Sequence, residues 1–128
     1  MQYPKELKYT KEHEWAKINE KNVTIGITDH AQNALGDIVF VELPPIGKVL
    51  KQGEAFGVVE SIKAVSDLYS PVTGKVTKVN ETVIKEPSQL NKDPHKSAWL
   101  IEIEATDTQT FQNLLNSDDY THYVEKLK

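Results

Sequence analysis

Gly53-Glu-Ala-Phe-Gly-Val-Val-Glu-Ser-Ile-Lys63-Ala-Val-Ser-Asp-Leu-Tyr-Ser-Pro-Val-Thr-Gly74 is the stretch on which the fold turns. Two β-rich runs, residues 55–61 and 65–69, stand on either side of a short turn that carries Lys63. Val58, Val59, Ile62, Val65 and Leu68 supply the β-branched and apolar side chains that suit a pleated, half-buried surface. Gly53 lies ten residues before the lysine and Gly74 eleven after it, so breakers close the unit almost symmetrically. The spacing predicts a hairpin with Lys63 at its tip.

A lysine at such a tip is usually a solvated charge, and this chain has fifteen lysines and no arginine. The surrounding letters are more specific. Glu60-Ser61-Ile62-Lys63-Ala64, set between the two glycines, resembles the attachment site of lipoyl-carrying domains. Biotin carriers share that architecture but typically place methionine on both sides of the lysine. Here the neighbours are Ile62 and Ala64, and the only methionine is Met1, so lipoyl is favoured over biotin.

Bulk composition narrows the function classes. A length of 128 residues gives one domain with enough chain for a core. With no cysteine there is no disulfide, thiolate metal site or cysteine nucleophile, so any thiol chemistry must come from a cofactor. The net charge is −4, with no basic block and none of the arginines that read guanine, which argues against nucleic acid. No apolar run reaches the roughly 20 residues needed to span a bilayer. The Met1-to-Glu6 stretch reads neither as a signal peptide nor as a transit peptide, and the expected location is the bacterial cytoplasm.

Outward from the hairpin, Trp15 and Ile18, then Val23, Ile25 and Ile27, suit strands joined by a polar turn at Asn19-Glu20-Lys21-Asn22. Residues 28–36 predict a short helix, capped by Asp29 with Gln32 reaching back and stopped by Gly36. A strand over 38–43 ends at Pro44-Pro45-Ile46-Gly47. Lys75 to Val79 alternates as a strand with one wet face. Residues 80–98 read as loop with one helical turn near 88–91, and 99–103 as the last strand. A helix over 107–116 and a second over about 117–127, started by Ser117 or Asp118, form a tail. Many short strands with proline and glycine turns predict a mainly β fold, a small barrel or sandwich.

The histidines (His13, His30, His95, His122) are scattered and show no metal-ligand spacing, so surface or cap roles are expected. There is no nucleophile elbow, phosphate loop or zinc motif, and nothing supports an independent enzyme.

The chain as a whole, from about Leu7 to Tyr123, carries four separated blocks in order. They are His13-Glu14-Trp15, residues 23–32, residues 35–44 and Glu60-Ser61-Ile62-Lys63-Ala64. In these it resembles the H protein of the glycine cleavage system, whereas generic lipoyl domains lack the first two blocks and the helical tail. Glu12 stands where relatives often have a small hydroxyl residue, Pro45 where they are often acidic, and His95-Lys96-Ser97-Ala98 replaces a glycine-richer turn. These departures bear on the pocket entrance and the loop before Trp99, and none touches Lys63.

The resemblance implies a hybrid barrel-sandwich of two antiparallel sheets, with a lipoyl-binding core over about 22–104 and a helical tail over about 106–127. It implies covalent lipoate at Lys63, with Glu60, Ser61 and Ala64 as motif context. It also implies a monomeric, non-catalytic carrier that shuttles an aminomethyl group between partner enzymes. Those partners would be a pyridoxal-phosphate glycine decarboxylase, a tetrahydrofolate-dependent aminomethyltransferase and a flavin dihydrolipoamide dehydrogenase, besides the enzymes that attach lipoate or octanoate. By the same resemblance Glu14 and Asp67 map to carboxylates near a cleft that receives the loaded arm. A relay of octanoyl or lipoyl groups to other complexes, and an interaction module with Lys63 left bare, are the alternative readings.

Overall fold

The computed structural model describes residues 3–127; Met1, Gln2 and Lys128, part of the stretches read above, lie outside them. Nine strands form two antiparallel sheets among these residues. Strands β1 (Lys8–Tyr9), β2 (Glu14–Asn19), β3 (Asn22–Ile27), β5 (Val49–Leu50), β8 (Thr73–Val79) and β9 (Ile101–Asp107) make the larger sheet, in the order β1-β2-β3-β9-β8-β5. Strands β4 (Ile38–Glu42), β6 (Ala55–Ser61) and β7 (Val65–Tyr69) make the smaller, in the order β4-β6-β7. The fold is mainly β with two antiparallel sheets, as the resemblance implied, and the sheets do not close into a barrel.

Alternation builds the core. Val23, Ile25 and Ile27 of β3 and Ile101, Ile103 and Ala105 of β9 point inward, where they meet Val41, Val59 and Leu68 from the small sheet. Asn19 and Asn22 pair across the β2–β3 hairpin, leaving Glu20 and Lys21 as a two-residue loop with Glu20 at φ 58°. A second cluster, Tyr3, Leu7, Tyr9, Trp15, Tyr120 and Val124, packs the N-terminal segment against the last helix. Trp15 lies across Gly26, its register partner, where an added Cβ would stand 2.5 Å from the indole. Its Nε1 donates to the carbonyl of Pro94 at 2.8 Å.

Helix α1 spans Asp29–Leu35, and its cap is Thr28, one residue earlier than expected. The Thr28 hydroxyl accepts the amide of Ala31, while the Gln32 amide donates to the Asp29 carboxylate rather than back to a cap. Residues 80–98 hold two short helices where one turn was expected. They are α2 (Glu81–Lys85), capped by Asn80, and α3 (Gln89–Lys92), anchored by buried Leu90. The last strand begins at Ile101 rather than Trp99, and the helix expected over 107–116 is a 3₁₀ turn over Thr108–Asn113, capped by Asp107. Helix α4 (Ser117–Lys126) is capped by Asn116, because its side-chain oxygen accepts the Asp119 amide; Ser117 instead donates to the carbonyl of Tyr3.

Candidate functional site

The β6–β7 hairpin has both bounds where the sequence put them, with residues 62–64 as its tip. Ser61 ties the tip internally. Its hydroxyl oxygen accepts the amides of Lys63 at 3.3 Å and Ala64 at 3.0 Å, and its own amide donates to the Ala64 carbonyl at 2.8 Å. The tip also leans on the segment that follows α1, since the Ile62 amide donates to the Asp37 carbonyl at 3.1 Å. Lys63 is exposed. Its stem runs over Gly36, which holds φ +81° at the end of α1, and a Cβ built there would lie 3.3 Å from Lys63 Cε. The missing side chain thus leaves a ledge along which the methylenes rest.

The surroundings of this amine are apolar and acidic. Ile62 and Val65 are 73% and 66% exposed, large values for aliphatic side chains. Across the outer face of the small sheet, register rows read Phe40–Glu60–Val65 and Glu42–Val58–Asp67, so three carboxylates interleave with apolar side chains and no lysine joins them. An exposed primary amine on a braced turn, with apolar side chains left in solvent beside it, fits covalent attachment of a long, largely apolar acyl group such as lipoate.

Glu14 lies elsewhere, at the start of β2, and is 2% exposed. Its Oε1 accepts the Thr10 hydroxyl at 2.6 Å and its Oε2 accepts the Tyr69 amide at 3.2 Å. Burial pushes its carboxyl up to about 8, against the pull of those two hydrogen bonds and with help from Glu12. Glu14, Thr10, Glu12, Tyr69 and Gln52 are among the residues that line an open cleft of about 280 Å³. The hydroxyl beside Glu14 therefore comes from Thr10, while Glu12 stands exposed at the rim. Asp67 is exposed on β7, two residues before Tyr69 and on the same face of the strand, outside the cleft lining. The hairpin thus runs from Lys63 at its tip, past Asp67, to the backbone that holds Glu14.

One constellation escaped the sequence. Three of the four histidines, read as scattered, gather at the contact between α1 and α4. His13 sits in the left-handed region at φ 70°, and its ring stands 4.4 Å from that of His30. The Tyr120 hydroxyl lies 2.8 Å from His13 Nδ1 and 2.7 Å from the Thr28 hydroxyl. Burial, with His30 beside it, pushes the His13 imidazole down to about 4, so a neutral ring joins the hydrogen-bonded chain of Thr28, Tyr120 and His13. His95 does take a cap role, its Nε2 accepting the amide of Asp29 at the start of α1. No signal in the sequence foretold the cluster, because it depends on one backbone conformation and on the docking of α4. Among the described residues no group of three or more potential ligands could hold a metal.

A family model for the glycine cleavage H-protein matches residues 7–127. The chain belongs to that family. The glycine cleavage system H protein of Myxococcus xanthus is 50% identical over 122 residues, covering 95% of each chain. That of Listeria monocytogenes serotype 4b is 51% identical over 125 residues, covering 98% of this chain and all of the relative. The crystal structure of a glycine cleavage system H protein from Mycobacterium marinum superposes with a TM-score of 0.86 at 36% identity, over 94% of this chain and 97% of that one. The two-sheet fold with its C-terminal helix is thus the fold of an H protein.

Proposed function

We propose that this chain is the lipoyl carrier of the glycine cleavage system, with lipoate joined as an amide to Nζ of Lys63. The observation that supports this best is the exposed, braced Lys63 on its glycine ledge, in a chain of the H-protein family. When bound, the lipoyl group supplies the disulfide that this cysteine-free chain lacks, to accept the aminomethyl carbon of glycine and later be reoxidised. The chain itself contributes placement. Acylation turns the Lys63 ammonium into a neutral amide and takes the net charge from −4 to −5. Tethering then raises the local concentration of the cofactor at whichever partner docks.

In this reading Lys63 serves in turn the decarboxylase, the folate-dependent aminomethyltransferase and the flavin dehydrogenase, and catalyses nothing alone. The carboxylates and apolar side chains of the outer sheet face favour partners that present basic groups around an apolar patch. Glu14 in its cleft, with Asp67 further out on β7, is assigned to the cationic end of whatever the arm carries. A cation drawn into the cleft favours ionised Glu14, so the carboxyl gives up its proton as the cation arrives.

The test is intact mass after incubation with a lipoate ligase, ATP and lipoate. The wild type should gain one lipoyl group and Lys63→Arg none. A gain that persists in Lys63→Arg, or a wild type that stays bare beside an acylated lipoyl-domain control, would overturn the reading.

A further inference from the structure

We propose that Asn91 is a positioning residue for the acylation of Lys63, a role that rests on the carrier reading above. The side chain of Asn91 reaches out of the four-residue helix α3 and clamps the backbone on both sides of Asp37. Its Nδ2 donates to the Gly36 carbonyl at 2.8 Å, and its Oδ1 accepts the Ile38 amide at 2.9 Å. The same Nδ2 donates to Gln32 Oε1 at 2.9 Å, which ties the clamp to α1. One side-chain amide thus satisfies a carbonyl and an amide on either side of Asp37. Both functions of the attachment tip hang from that segment. The Asp37 carbonyl holds the Ile62 amide, and Gly36 is the ledge beneath the lysine stem.

The clamp itself is firmly seated. Leu90, the neighbour of Asn91, is fully buried, and the Asn91 and Asp93 amides close the turn on the carbonyls of Ser88 and Gln89. A lysine has four rotatable bonds and wanders unless its stem is supported. The clamp therefore limits where the ammonium can be when a ligase presents its activated acyl group. In the transfer the neutral Nζ attacks the carbonyl carbon of the acyl adenylate, an N–C bond forms, AMP leaves with the bonding pair, and Nζ loses a proton. Orientation of the attacking amine enters that step directly, so its loss should appear in kcat more than in KM.

The experiment compares acylation of full-length wild type, Asn91→Ala and Val124→Ala by a lipoate ligase. Val124 is buried in the cluster around α4, and its truncation serves as a destabilised control. Asn91→Ala should lower kcat for Lys63 acylation about tenfold with little change in KM. It should also speed amide exchange at Ile62 while leaving the amides of β3 protected. Val124→Ala should be acylated at the wild-type rate. Wild-type kcat in Asn91→Ala, an equal loss in both variants, or unchanged Ile62 exchange would overturn the positioning role. A wild type that takes no acyl group would overturn the carrier reading and this role with it, whereas normal acylation of both wild type and Asn91→Ala removes only the latter.

Discussion

Glu14 and His13 are neighbours in sequence, and burial favours the neutral form of both, which moves their titrations in opposite directions along the pH scale. The Glu14 carboxyl, raised from 4.5 to about 8, binds its proton more tightly in the folded state. Its contribution to stability is complete below about pH 4.5 and is lost as pH rises through 8. The His13 imidazole, lowered from 6.5 to about 4, contributes stability that is present above pH 6.5 and lost as pH falls through 4. Between about 4.5 and 6.5 the two slopes oppose one another, and above 6.5 Glu14 acts alone. Glu14→Gln should therefore remove a fall in stability between pH 6.5 and 8, on the order of 1–2 kcal/mol, measured as Tm or urea midpoint across pH. The same variant tests the cation role, because the loaded carrier should lose its load by hydrolysis faster in Glu14→Gln and in Asp67→Asn than in wild type. Equal lifetimes would release both residues from it.

At the scale of elements, Tyr120 is where α4 meets the rest of the protein. Its ring stacks on that of Tyr9 at 4.7 Å, and its hydroxyl joins His13 to Thr28, the cap of α1. Tyr120→Phe keeps the stacking and removes the hydroxyl, leaving an imidazole nitrogen and a buried threonine hydroxyl short of a partner. We expect a loss of about 1–3 kcal/mol in urea unfolding, with the secondary structure by circular dichroism unchanged. The β6–β7 hairpin was legible because β-branched runs lie between glycines and polar turn residues, all of them local signals. Helix α1 was legible too, although Thr28 and Asp29 are both good caps and only the observed bond to the Ala31 amide chooses between them. Helix α2 was not, since five residues with Val83 and Ile84 as the apolar pair are too few to show a period. Of the candidate site, Lys63 and Glu14 were reached through motif resemblance. Thr10, Asn91 and the His13–Tyr120 contact were out of reach, because each exists only once distant segments have been brought together.

For the whole molecule the strand order matters more than any single contact. The central pairings join β3 to β9 and β8 to β9, and an isolated bridge joins Tyr9 to Leu115, so much of the structure rests on residues far apart in the chain. Refolding from urea, followed by tryptophan fluorescence, should accordingly fall in the range of about milliseconds to seconds, slower than for a helical bundle of this length. A microsecond phase carrying the full amplitude would contradict it. The position of β9 also has a consequence for synthesis. Among the described residues it is the last strand made, yet it fills the middle of the larger sheet. At about 5–20 residues per second, the ribosome leaves β3 without that neighbour for several seconds, its backbone donors and acceptors open to any other nascent strand. Shielding of the growing polypeptide would thus matter until residue 101 emerges, and a translational pause just before it would prolong the exposure of that open edge.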